Sequence, residues 1–213
     1  MYVIKGNKTL NITSAELTEL VKAFDSVKID LGTGDGRFVY KNAVKIPNIL
    51  FIGIDPSHTQ LEEYSQRAVK NKIGNVLFVL GSVEQLPPEL ENLANSLYII
   101  LPWGTLLQSI VAPDAARLES ISVLLKLGGN LEIVFGYDPA CEPTEYTRLN
   151  LAEISEGYIK NAIVPAFKKA GLQNTMLREL DKNDLKNFET TWAKKLTFGK
   201  TRPMYLLHFR KVL

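Results

Sequence analysis

The chain has a single cysteine, Cys141, which excludes an intrachain disulfide and a cysteine-based metal cluster. Histidine is nearly as scarce. His58 and His208 stand far apart with no companion set for metal or triad chemistry, so both read as structural or surface residues and no metal is expected. No run of about 18 apolar residues occurs, which leaves no candidate membrane span. The opening residues, Met1 to Gly6, lack the basic and apolar layout of a signal peptide, and with the missing disulfides this points to the cytoplasm. Internal repeats, low-complexity tracts and Pro/Gly-rich linkers are also missing. The 213 residues are therefore read as one domain, 1–213, long enough to bury a core.

What is present is ordinary in amount but uneven in distribution. A net charge of +2 is too small to argue for a nucleic-acid partner by itself. Between Trp192 and Leu213, however, Lys194, Lys195, Lys200, Arg202, Arg210 and Lys211 stand without one acidic residue. A second acid-free stretch, Gln66 to Val79, carries Arg67, Lys70 and Lys72. Such runs are either solvated faces or phosphate-binding surfaces, and charge alone leaves both open.

Hydrophobic patterning predicts an N-terminal hairpin, Tyr2–Ile4 with Thr9–Asn11, inside the segment 1–12. Thr13 and Glu16 have capping-box spacing, which starts a helix running to about Phe24. An alternation follows. Apolar strands are expected at Val27–Leu31, Ile49–Ile54, Val76–Leu80, Leu97–Leu101 and Asn130–Phe135. Between them come helices at Arg37–Lys45, Thr59–Asn71, Pro88–Leu93 and Asp114–Lys126. An irregular stretch from Tyr137 to about Glu153 precedes a helix ending near Ala170, and strands at Asn174–Leu180 and Met204–Phe209 close the chain as an antiparallel pair. This order predicts an α/β fold with a mostly parallel seven-stranded sheet and a hairpin extension. Ligands in such sheets bind beyond the carboxyl ends of the strands, and every motif below falls at such an end.

The first core strand runs into Asp30, Gly32, Thr33, Gly34 and Gly36. A dinucleotide fingerprint spaces its glycines G-x-G-x-x-G, whereas here the third comes one residue early, after an acid two residues upstream. That segment resembles class I (Rossmann-like) methyltransferases, which use S-adenosylmethionine, and it implies that Asp30 lies near the methionine ammonium. Otherwise it is a glycine-rich structural turn. Strand two ends at Asp55, whose carboxylate can accept both ribose hydroxyls; read alone, it is also a plausible helix cap. Strand three ends in Gly81, Ser82, Val83 and Glu84. The class often has Asp at the Ser82 position, so the backbone of Val83 and the side chain of Glu84 are expected to supply polarity to the adenine.

Strand four ends in Leu101, Pro102, Trp103, Gly104 and Thr105. Enzymes that methylate exocyclic amino groups place Asn or Asp at the first of these positions, and Leu101 cannot make that hydrogen bond. A ring nitrogen, unprotonated at neutral pH, needs alignment rather than a base. Trp103 supplies a flat surface for this, and Trp192 adds another beside Lys194 and Lys195, a pairing suited to an unpaired base and its phosphates. Each tryptophan taken alone is also readable as core, the lesser of the two readings.

Together, the segments Ile29–Arg37, Phe51–Pro56, Leu101–Leu107 and Trp192–Gly199 resemble the KamB/NpmA family. That family comprises aminoglycoside-resistance methyltransferases acting on adenine 1408 of 16S rRNA in the small (30S) ribosomal subunit. The resemblance implies that Trp103 and Trp192 stack the flipped adenine as the catalytic pair. It also implies that Thr190 and Thr191 lie close to the cofactor, and that segments 137–153 and 188–202 are substrate-side loops. Arg67, Lys70, Lys72, Lys195, Lys200 and Arg202 would grip rRNA phosphates, with Arg148 adding a contact at the flipped nucleotide. A monomer acting on RNA rather than DNA, away from membranes, is expected. Two departures stand out: Lys195 and Lys200 replace Arg of a close relative, and the loop after Lys72 is shorter. Lys lacks the two-pronged phosphate contact of Arg. Two other functions keep the same core: a small-molecule methyltransferase, with an enclosed apolar pocket, and a non-catalytic RNA-binding protein.

Overall fold

The computed structural model describes residues 1–198 and 202–213. Among the described residues nine strands form one continuous mixed sheet in the order β2-β1-β5-β4-β3-β6-β7-β9-β8. The strands are β1 (Tyr2–Lys5), β2 (Lys8–Asn11), β3 (Ser26–Leu31), β4 (Ile49–Asp55), β5 (Val76–Leu80), β6 (Ala94–Ile100), β7 (Leu125–Phe135), β8 (Leu172–Glu179) and β9 (Tyr205–Lys211). The pairs β3/β4, β4/β5, β3/β6 and β6/β7 are parallel. The hairpin is not a separate flap: β1 pairs antiparallel with β5 and brings the expected seven strands to nine. The final pair is antiparallel as expected, with β9 inserted between β7 and β8.

The helices follow from local signals. In α1 (Ser14–Val21), Thr13 and Glu16 form both halves of the capping box. Helices α2 (Arg37–Lys45) and α3 (His58–Lys70) share an apolar layer with Phe51 and Phe78. A second layer gathers α1, α4 (Gly104–Val111), α5 (Ala115–Val123) and α8 (Val164–Lys169) around Ile29, Leu97 and Ile133. β4 is buried along almost its whole length, as befits a parallel strand covered on both faces. β3 and β6 are adjacent while their crossovers diverge, which makes their carboxyl ends the switch point of the sheet.

Several expected boundaries differ. The helix predicted to reach Lys126 stops at Val123, because Leu125 pairs with Ala94 and opens β7 early. The segment Pro88–Leu93 yields only a 3₁₀ turn, Pro88–Leu90. α4 has no counterpart among the expected helices; it starts directly after Trp103 and buries Leu106, Leu107 and Ile110. The stretch expected to be irregular holds α6 (Pro143–Arg148), seeded by Pro143 in its first turn. The helix after it is broken into α7 (Glu156–Tyr158), a π turn over Ile159–Ile163, and α8. Pro165 explains that π turn, since its ring clashes with the carbonyl four residues back. α9 (Thr191–Phe198) lies in the segment between β8 and β9.

Candidate active site

At the end of β3 the chain turns through Gly32, Gly34 and Gly36, all with φ between 60° and 77°. Such a path is open to glycine at little steric cost. Its approach to β4 depends on Gly53, where a Cβ would come within 2.8 Å of Thr33. The Gly32 and Thr33 amides donate to the Ile54 carbonyl at 2.9 and 3.0 Å. Asp55 closes the turn: Oδ2 accepts from the Gly34 amide at 3.0 Å and Oδ1 from the Ser57 amide at 2.9 Å. Burial raises the Asp55 pKa above its ordinary value, and the two amide bonds oppose that rise.

Asp30 lies beneath this loop and is only 2% exposed. Its Oδ2 accepts from the Thr33 hydroxyl at 2.6 Å, whereas Oδ1 is buried with no partner among the described residues. Burial pushes its pKa up to about 7, against the Thr33 bond that lowers it. An unsatisfied buried carboxylate oxygen is costly, and a cation reaching it from the cavity would remove that cost.

On the neighbouring strand, Leu101 leaves β6 with φ 55°, a left-handed conformation in which its amide donates to the Val134 carbonyl at 2.7 Å. For a residue with a Cβ this costs on the order of 1–2 kcal/mol. The turn projects Trp103 from the rim, 44% exposed, and Trp192 of α9 faces it, 52% exposed. Their centroids are 6.2 Å apart and their planes differ by 17°. Lys195 Nζ sits 5.1 Å from the Trp192 ring centroid.

A cavity of about 440 Å³ joins these parts, lined by Gly32, Gly34, Asp55, Val83, Glu84, Leu101, Trp103, Gly104, Thr105 and Trp192. All ten were singled out in the sequence. Gln60 and Ser57 also line it and were not, and so does Ser82, noted in the sequence only as a departure from the class. The Thr105 hydroxyl beside Glu84 holds that carboxyl below its ordinary pKa. Thr33 and Asp30 form the layer underneath, and Pro102 faces a second cavity of about 180 Å³. That second cavity shares Leu101, Trp103 and Trp192 with the first and adds Gly136, Glu142, Leu196 and Arg202. The indole pair thus divides two adjoining spaces.

The remaining residues expected in the site fall elsewhere. Thr190 caps α9, accepting from the Ala193 amide at 2.9 Å, and Thr191 donates to Asp35 at 2.6 Å; neither lines the cavity. Arg202 is ion-paired with Glu142 across the second cavity. Arg148 pairs with Glu145 at 2.6 Å, and Arg67 pairs with Glu63 at 2.8 Å while lying 4.7 Å over the Tyr64 ring. Lys70, Lys72 and Lys195 are exposed. α3 runs back from the rim, so Lys70 at its far end is about 20 Å from its start by helical rise. Lys200 lies outside the described residues. Among the described residues, no group of His, Cys, Asp and Glu is arranged to hold a metal, and no helix is long and apolar enough to cross a membrane. Asp35 and Glu142 escaped the sequence reading because their partners are 156 and 60 residues away.

Comparison with known proteins matches residues 2–210 to the family model described as NpmA, 16S rRNA (adenine(1408)-N(1))-methyltransferase. This chain belongs to the NpmA family. A curated Escherichia coli protein named 16S rRNA (adenine(1408)-N(1))-methyltransferase is 37% identical over 96% of both chains. The structure of a 30S ribosomal A1408 methyltransferase from an uncultured bacterium is 45% identical, with TM-score 0.80 and full coverage of both chains. A tryptophan-to-alanine variant of the enzyme of that name from Catenulisporales acidiphilia was solved with its cosubstrate SAM. It is 26% identical, with TM-score 0.89, over 100% of this chain and 97% of that one.

NpmA-family enzymes are S-adenosylmethionine-dependent methyltransferases, and the cavity fits that cosubstrate. The partnerless Asp30 oxygen suits its ammonium, the glycine turn admits its backbone-like methionine portion, and Asp55 at the end of β4 suits the ribose.

Proposed function

We propose that this chain methylates N1 of adenine 1408 in 16S rRNA of the small ribosomal subunit, as a cytoplasmic monomer, and thereby confers aminoglycoside resistance. The observation that carries this reading is the near-parallel indole pair at the mouth of the cofactor cavity. Both rings are about half exposed, as suits a base presented by a large partner rather than a small molecule enclosed in an apolar pocket.

The sulfonium of S-adenosylmethionine supplies an electrophilic methyl group. The chain's residues do the rest. Trp103 and Trp192 hold the extracted purine in the plane that directs its ring nitrogen toward the cofactor cavity, and each face contributes about 1–3 kcal/mol by stacking. That offsets an extraction cost of a few kcal/mol. N1 carries its lone pair at neutral pH, so no side chain has to remove a proton before attack. As the purine gains positive charge, the indole faces favour it by cation–π attraction. Asp30 and Asp55 orient the donor, Arg148 adds a contact at the flipped nucleotide, and Lys70, Lys72, Lys195 and Lys200 meet phosphates, which position the enzyme without reading sequence.

Reverse transcription across the decoding region, after incubation of small subunits with enzyme and cosubstrate, tests the proposal. A stop one nucleotide before adenine 1408 that requires both components is expected; its absence under conditions that methylate a small molecule overturns it.

A further inference from the structure

The segment that carries Trp192 is tied to the cofactor loop as well as to the sheet. Asp35 lies between Gly34 and Gly36, and its two oxygens serve different elements. Oδ1 accepts from the Arg37 amide at 3.0 Å, which turns the chain into α2. Oδ2 accepts from the Thr191 hydroxyl at 2.6 Å. Thr191 opens α9 and directly precedes Trp192. One residue before Asp35, the Gly34 amide is held by Asp55. Bonds therefore run from Asp55 through Gly34 and Asp35 to Thr191 and the indole.

A second tie runs alongside. Lys45, in the last turn of α2, pairs with Glu189 at 2.7 Å, so α2 meets residues 189–191 from both of its ends. That pair is exposed and contributes little. The Asp35–Thr191 bond is partly buried and so less exposed to competing water, which makes it the stronger of the two. Phe38 of α2 and Leu196 of α9 also pack against the same apolar cluster.

We propose that Asp35 is a positioning residue which, acting through Thr191, sets Trp192 against Trp103 and couples the cofactor loop to the base clamp. This rests on reading the indole pair as that clamp. Residues 34–36 form part of the loop that the donor contacts, so a shift there reaches Trp192 through one hydrogen bond and one peptide unit. The coupling is reciprocal: a base held in the clamp strengthens cofactor binding by the factor with which the cofactor strengthens the clamp.

Thr191→Val removes the hydroxyl and keeps the shape, and Thr191→Ser restores it. In a Trp103→Phe background Trp192 is the sole tryptophan, so its emission reports α9. Titration with S-adenosylhomocysteine is expected to shift that emission. Thr191→Val should abolish the shift while calorimetry still records binding close to the parent value. With both tryptophans present, single-turnover methylation of small subunits should fall at least about tenfold in Thr191→Val, the scale of one charge-assisted hydrogen bond. It should recover in Thr191→Ser and, in the Thr191→Val background, fall no further when Asp35→Asn is added, because Asn keeps an oxygen for the Arg37 amide. An additive loss in the double variant, or an emission shift that survives Thr191→Val, overturns the proposal. So does lost cofactor binding in Thr191→Val, because the hydroxyl would then serve the cofactor itself. Full methylation by Trp192→Ala removes the clamp and the coupling together, and is recognised without any Thr191 variant.

Discussion

Trp103 and Trp192 face each other with centroids 6.2 Å apart and planes 17° from parallel, about 1 Å short of the roughly 7 Å that two stacking contacts around an inserted ring require. That centroid distance lies within the range of a direct aromatic pair, so a base enters between the rings only if they move apart. Removing either wall should cost about 1–3 kcal/mol of base binding, a methylation loss of roughly five- to 150-fold, while a Trp192→Phe variant keeps most activity. Cofactor affinity of Trp192→Ala, measured by calorimetry, should stay close to the parent. Lost cofactor binding in that variant would mean that the indole holds the cavity together rather than a base.

Asp30 predicts a pH dependence with a definite sign. Burial lifts it from 3.8 to about 7, so across that window the folded chain holds a proton that the unfolded chain has released. Stability of the cofactor-free protein accordingly declines as pH rises through the window and levels off above it. The ionised form is the one that attracts an ammonium, so cofactor affinity should rise from pH 6 to pH 8. Asp30→Asn should melt higher than the parent at pH 8, bind cofactor weakly, and show little pH dependence in either property. Parental affinity of Asp30→Asn at both pH values would remove Asp30 from the cofactor site.

Those two sites differ in how far they could be read from the chain alone. The glycine turn, Asp30 and Asp55 are local patterns at the ends of apolar strands, and each ended up beside the cavity. The parallel core of the sheet was legible for the same reason, because strand and helix periods alternate. Long-range choices were not legible. β7 starts at Leu125 because Ala94 is there to pair with it, although Val123-Leu124-Leu125 continues an apolar helical face. The ion pair of Arg202 with Glu142, 60 residues earlier, has no local signal in the sequence. Nor has the bond from Thr191 to Asp35, 156 residues away.

Gly136 ends β7 where the returning chain passes closest. A Cβ there would collide with the Pro203 carbonyl oxygen and come within 2.5 Å of Met204 Sδ. The residue also lines the second cavity with Glu142 and Arg202. Gly136→Ala should push residues 202–204 outward, destabilise the fold by about 1–3 kcal/mol and impair methylation more than cofactor binding. Denaturant unfolding gives the first quantity, and an unshifted midpoint would mean that the backbone gives way freely.

The basic residues at the end of α3 and just beyond it make the most demanding prediction, because they sit far from the chemistry. Lys70 ends a helix that begins beside the cofactor cavity, about 20 Å away. Arg67 is already engaged by Glu63 and the Tyr64 ring, which leaves Lys70 and Lys72 as the exposed pair on this surface expected to reach phosphate. An RNA that meets them while a base enters the indole slot must span that whole side of the protein, as folded rRNA in a subunit does and a short oligonucleotide does not. Replacing both lysines with Gln should weaken small-subunit binding and reduce the slope of log affinity against log salt by about two, roughly one for each phosphate that is no longer neutralised. Cofactor affinity should be untouched, and methylation should return at saturating subunit concentration, because these lysines dock the enzyme without aligning the base. An unchanged salt slope in that variant would mean that this face of α3 points to solvent when the enzyme is bound.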